Sequence, residues 1–153
     1  MVRFTRTTLL VLAFVAAPAA QGATAKPACP FLPGDVAARA IGKPLAQGKP
    51  SSYDTSHFTS CLYSTRDKGG ATLLTTEVYW QFARMTYDNY CRGAGVDTVA
   101  DLGQGACMAS DYINVMNGDT LLRVRIHLPD SPKRRAQLID TARAILSRLP
   151  ERF

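Results

Sequence analysis

Apolar and polar positions alternate most regularly between Thr120 and Leu128, where Leu122, Val124, Ile126 and Leu128 are interleaved with Leu121, Arg123, Arg125 and His127. A period of two predicts a strand with one buried face and one basic, wet face. The period then changes. Pro129-Asp-Ser-Pro132 breaks the chain, and Leu138, Ile139, Ala142, Ile145, Leu146 and Leu149 recur at helical spacing. Asp130 or Ser131 is placed to cap this helix, with Pro132 in its first turn. Lys133, Arg134, Arg135, Arg143 and Arg148 fall largely off the apolar stripe.

Upstream, Asp35 to Ile41 reads as a short helix capped by Asp35 and closed by Gly42. Lys43 to Thr55 has no periodicity and is rich in Pro, Gly, Ser and Lys, the composition of a loop. His57–Thr65 and Ala71–Gln81 read as strands joined through Asp67-Lys-Gly-Gly70, with Leu74, Val78 and Trp80 on one face. Phe82 to Cys91 has the spacing of a helix, and Ala106–Ala109 and Tyr112–Met116 read as short strands. Val96 to Leu102 is a strand fragment or a loop. Asn117-Gly118 predicts a type I′ hairpin into the strand at Thr120. The sum is an α+β fold: an antiparallel sheet of four to five strands, with N-terminal, middle and C-terminal helices packed mainly on one face.

The ends add a compartment. Arg3 and Arg6 precede the uncharged run Leu9–Ala17, and Ala23-Thr24-Ala25 supplies a small-x-small pattern, the layout of a secretory signal peptide over residues 1–25. Residues 26–153 then form one domain. The apolar run is shorter than the roughly 20 residues a membrane span needs, so no transmembrane segment is expected after signal removal. Lys26-Pro27-Ala28 before Cys29 argues against lipid attachment. The expected location is soluble export, periplasmic or secreted. Of 18 basic residues the leader takes Arg3 and Arg6, leaving 16 against 12 acidic ones. That excess of four serves solubility first, and otherwise favours acidic partners such as an anionic cell-wall polymer or a membrane surface. Nucleic acid is not an expected partner of an exported chain.

Four cysteines in an exported chain point to disulfides, with three connectivities open. The pairing of sequence neighbours, Cys29 with Cys61 and Cys91 with Cys107, closes two moderate loops and is favoured. With no Cys-x-x-Cys there is neither a thioredoxin-like centre nor a zinc knuckle to invoke.

A Cys before a short helix ending in Ile41-Gly42, the strand segment Cys61-Leu-Tyr63, and Val99 to Ala106 ahead of a Gly-Asp strand and a C-terminal helix resemble a group of small exported bacterial proteins. These include mycobacterial lipoproteins with a Cys pair, some built as a PsbP-like α+β sandwich. The resemblance implies a fold and no catalytic residue. The chain departs from the pattern in lacking the lipidation motif and in carrying Cys91 and Cys107.

Candidate chemistry is sparse. His57 and His127 would have to meet, with Asp54 or Asp111, to hold a metal, and no metal or cofactor is expected. There is no Gly-x-Ser-x-Gly elbow, and Asp97 and Asp101 flank a loop in which carboxylates usually form turns. The expectation is a non-catalytic exported binding or accessory protein. Its contact surface is the wet strand face, Arg123, Arg125 and His127, beside Glu77 and Tyr79. Protein or anionic envelope polymer is the favoured partner. A small periplasmic hydrolase acting on envelope polymer, and an immunity-like protein that neutralises a secreted toxin, are the alternatives.

Overall fold

The computed structural model describes Cys29, residues 31–51 and residues 57–149. The leader expected over residues 1–25, and Asp54, lie outside the described residues. Ten elements follow in chain order: α1 (Gly34–Ile41), β1 (Lys49–Pro50), β2 (Phe58–Ser64), β3 (Thr72–Tyr79), α2 (Ala83–Cys91), β4 (Asp97–Val99), β5 (Gly105–Met108), β6 (Tyr112–Asn117), β7 (Thr120–Ile126) and α3 (Pro132–Leu146).

The strands form one antiparallel sheet of seven, ordered β1-β2-β3-β7-β6-β5-β4. The α+β class is as expected, but the sheet is wider than four to five strands. The difference lies at its two edges. β1 pairs through Lys49 and Pro50 only, and β4 through Asp97 to Val99. Neither run is long enough to carry a period of its own. Proline and brevity on an edge also limit pairing with other chains.

The register separates the faces. Leu74, Thr76 and Val78 of β3 lie opposite Ile126, Val124 and Leu122 of β7, and Ile113 and Val115 of β6 continue the same surface. α1 and α3 lie on it and on one another, and the apolar side chains between them form the main core. Tyr63 reaches into this layer, where its hydroxyl donates to the Leu32 carbonyl at 2.7 Å. Burial drives its pKa up to about 12, against a smaller opposing effect of a hydrogen bond with Thr76.

Local sequence sets the helix ends, with one revision. Ser131 caps α3 by accepting from the Arg134 amide at 3.1 Å, and Pro132 opens the first turn. Gly42 closes α1 in the left-handed conformation. Asp35 is not the α1 cap: the helix begins at Gly34 after Pro33, and Asp35 pairs instead with Arg39 one turn on, at 2.9 Å. The β6–β7 hairpin also differs in detail. Asn117 pairs with Thr120, so the central turn residues are Gly118 and Asp119, and only Gly118 has a positive φ. That is the pattern of a II′ turn rather than I′.

Both disulfides join sequence neighbours, Cys29 to Cys61 and Cys91 to Cys107, with Cα separations of 5.5 and 5.6 Å. Register shows what each does. Cys61 shares the α1/α3 face with Thr76, so its bond ties the segment leading into α1 to the core. Cys107 stands opposite Asn114 on the other face, and its bond ties the last residue of α2 there. No helix among the described residues is long and apolar enough to cross a membrane.

Candidate functional site

The second face carries Ser60, Leu62, Thr75, Glu77, Tyr79, Cys107, Tyr112, Asn114, Leu121, Arg123 and Arg125, by register. α2 lies across part of it, over β6 and β7. The wet strand face is therefore not wet along its length. Leu121 is fully buried, joining Ala83 and Met116 in a small apolar cluster flanked by Tyr79 and Tyr87. Arg123, expected at the surface, is only 6% exposed.

Arg123 is enclosed by partners from three elements. Nε donates to Asn114 Oδ1 at 2.8 Å, and Nη1 reaches Glu77 Oε2 at 3.3 Å. The guanidinium carbon lies 3.8 Å from the centre of the Tyr90 ring, with Tyr79 and Tyr112 farther off at 5.6 and 5.8 Å. Nη2 has no hydrogen-bond acceptor among the described residues, so the Tyr90 π face is what this end of the cation meets. The cross-strand pairing of Glu77 with Arg123 was legible in the strand alignment. The lid supplied by α2 was not, because Tyr90 is 33 residues away in the chain. Arg123 is thus a buried tether between β3, β6, β7 and α2, and is not a surface contact.

Tyr79 belongs to the same cluster. Its hydroxyl donates to Glu77 Oε2 at 2.8 Å. Burial, reinforced by the Glu77 charge, raises its pKa well above the ordinary phenol value, with Arg123 partly opposing. It is a half-buried neutral donor, already occupied by Glu77.

Arg125 and His127 remain outside the cover of α2. Arg125 pairs with Asp111 at 3.1 Å and sits 5.7 Å from the Tyr112 ring centre. His127 Nε2 is 3.0 Å from Thr75 Oγ1. Partial burial first, and the Arg125 charge second, hold the imidazole pKa below its usual value, with Asp111 pulling the other way. His127 is therefore a neutral polar group near pH 7 rather than a third cation. His57 lies beyond the opposite end of this strand ladder, against Gln81 and Phe82, so the two histidines do not meet. Asp97 is occupied by Arg135 of α3.

What the register adds is a row. Lys49 is opposite Leu62, Leu62 opposite Thr75, Thr75 opposite Arg125, and Arg125 opposite Tyr112. Neighbouring strands are about 4.8 Å apart, which sets Lys49 and Arg125 about 14 Å from one another across the open sheet. At the β1–β2 end the row runs into a cleft of about 530 Å³, lined among others by Gln47, Lys49, Leu62, Ser64, Arg66 and Asp67. Arg66 Nε donates to the Leu45 carbonyl at 2.9 Å, so the head group is braced without being neutralised. Asp67 on the rim is kept below the usual carboxylate range, first by a hydrogen bond with Thr65. Neither Lys49 nor Arg66 has a carboxylate ion-pair partner among the described residues. Sequence reasoning passed over both because they lie in or beside segments without periodicity. Their common site exists only through the pairing of β1 with β2. In comparisons with known proteins, no family model and no curated protein sequence matches this chain.

Proposed function

We propose that the protein is exported and acts without catalysis, as a binding or accessory protein that takes an anionic envelope polymer on the uncovered half of its sheet. The observation behind this reading is the cleft with Lys49 and the braced Arg66 at the end of the Lys49–Leu62–Thr75–Arg125–Tyr112 row. A guanidinium already fixed by a backbone carbonyl loses little freedom when it meets a phosphate or carboxylate. Thr75, Ser64, Gln47 and His127 offer neutral hydrogen-bonding groups between and around the cations. That mixture suits a chain of sugars or polyols bearing negative groups, in which hydroxyls alternate with charge. Asp67 and Asp111 keep the surface from being uniformly positive, which restrains nonspecific adsorption.

Export is supported by the signal-like leader of the sequence and by two disulfides, which persist in oxidising compartments. The lipid-free form of the leader, and the likeness to small exported proteins with a Cys-tethered helix, belong to the same reading.

The test is co-sedimentation of the purified mature chain with a polyphosphodiester wall polymer, and with a neutral glycan as control. Lys49→Glu combined with Arg66→Glu should weaken capture by at least about tenfold, since exposed ion contacts contribute up to about 1 kcal/mol each and reversal adds repulsion. Binding should also fall with added salt. Equal capture by the double variant would discard the cleft as the site. Equal capture of the neutral glycan would discard the anionic ligand.

A further inference from the structure

Phe82 combines two features that each work against the stability of an isolated chain. It is the residue before α2, with φ 57° in the left-handed region, where a bulky L-residue is strained and glycine or asparagine is at ease. It is also 59% exposed, with Met85 beside it at 56%. Both side chains border the same cleft, so the two form one apolar knob. An observed backbone outlier that presents a large aromatic to solvent points towards use of that aromatic.

The knob stands at the rim of a cleft of about 300 Å³, whose lining includes Trp80, Ala83, Arg84, Met116, Gly118 and Asp119 as well as Phe82 and Met85 themselves. The cleft carries one cation and one anion, Arg84 and Asp119. Neither has an ion-pair partner among the described residues, whereas most other described carboxylates do. A knob, a hollow, a free cation and a free anion on one patch make the patch complementary to itself. That is the requirement of a two-fold interface, in which every contact occurs twice with the roles exchanged.

We infer that the chain pairs with a second copy of itself through this patch. Phe82 of each copy enters the hollow of the other, and Arg84 faces Asp119 of the partner subunit. The left-handed backbone at Phe82 then holds the ring at the surface, edge-on to His57 at 5.3 Å, with more than half of it still open to a partner. The patch is at the start of α2, beside the β6–β7 hairpin, and shares no residue with the Lys49–Arg66 cleft.

Sedimentation equilibrium on the disulfide-intact mature chain tests the pairing. Wild type should reach the dimer mass as concentration rises towards millimolar. Phe82→Asn should be monomeric over the same range with a thermal midpoint no lower than wild type, because asparagine accepts the left-handed conformation. Met85→Glu should be monomeric as well. Arg84→Asp and Asp119→Arg should each weaken self-association at least tenfold. An equimolar mixture of the two should form a heterodimer near wild-type strength, since both exchanged ion pairs are then restored. A wild type that stays monomeric, a dimer that survives Phe82→Asn, or a mixture no stronger than its components would each overturn the inference.

Discussion

On one face of the sheet Leu74, Val78, Ile113, Val115, Leu122, Val124 and Ile126 meet α1 and α3, and the layer is mainly apolar, its polar groups being Thr76, Thr141, the Tyr63 hydroxyl and the buried Arg134 of α3. On the other, α2 meets Leu121 and Met116 at one end and the Arg123, Asn114 and Glu77 cluster at the other. Each face has one disulfide tying a helical segment to it. The same strands thus carry two kinds of packing. The first is driven by removal of apolar surface from water and is insensitive to direction. The second depends on a few directional contacts to one cation, and half of that face is left open. An apolar layer favours complete cover. A charged cluster needs only its own few partners, so α2 can stop at Cys91, where Tyr90 touches only the Tyr112 end of the Lys49–Tyr112 row.

That contrast can be broken in three ways. The largest effect is expected from Leu122→Ala, which opens a cavity between β7 and α3 and should cost about 3 to 5 kcal/mol in urea unfolding. If it cost under 1 kcal/mol, the α1/α3 face would not be the main source of stability. Next, Arg123→Met should cost about 2 to 3 kcal/mol. It leaves Glu77 partly buried without its cation, and the loss is trimmed because Glu77 retains some contact with water. Adding Glu77→Gln should recover a good part of that loss, and the coupling is the quantity to measure in a double-mutant cycle. Additive costs would mean that the cation does not organise the second face.

The smallest effect is a pH dependence. The folded-state pKa of His127 lies below the ordinary imidazole value of 6.5, so below that pH the unfolded chain takes up the proton first. Its contribution is present above pH 6.5 and declines as pH falls towards the folded value. Between pH 7 and about pH 5.5 wild type should lose slightly more stability than His127→Gln. Parallel loss in the two proteins would assign the drift to other groups.

Much of this was written in the chain. The α+β class, both disulfide pairings, the Ser131–Pro132 start of α3 and the inward sides of β3, β6 and β7 follow from period, caps and cysteine order. Arg134 did not: off the apolar stripe by helical spacing, it is buried, donating to the Leu128 and Ser110 carbonyls and pairing with Asp130. β1 was hidden, and β4 left open between strand fragment and loop, for another reason, since a strand of two or three residues exists only where a neighbour's edge accepts it.

The chain alone fixes which residues alternate, a property of short stretches, and cysteine order favours one of three disulfide pairings, the one that the fold adopts. That Arg123 is a buried tether while Lys49 and Arg66 face a cleft follows from how the elements pack. Alternation says that two sets of side chains point to opposite faces, but not whether a helix will lie on the second of them. That depends on where α2, closed by Cys91, comes to rest against Cys107, and on which cation happens to stand beneath Tyr90.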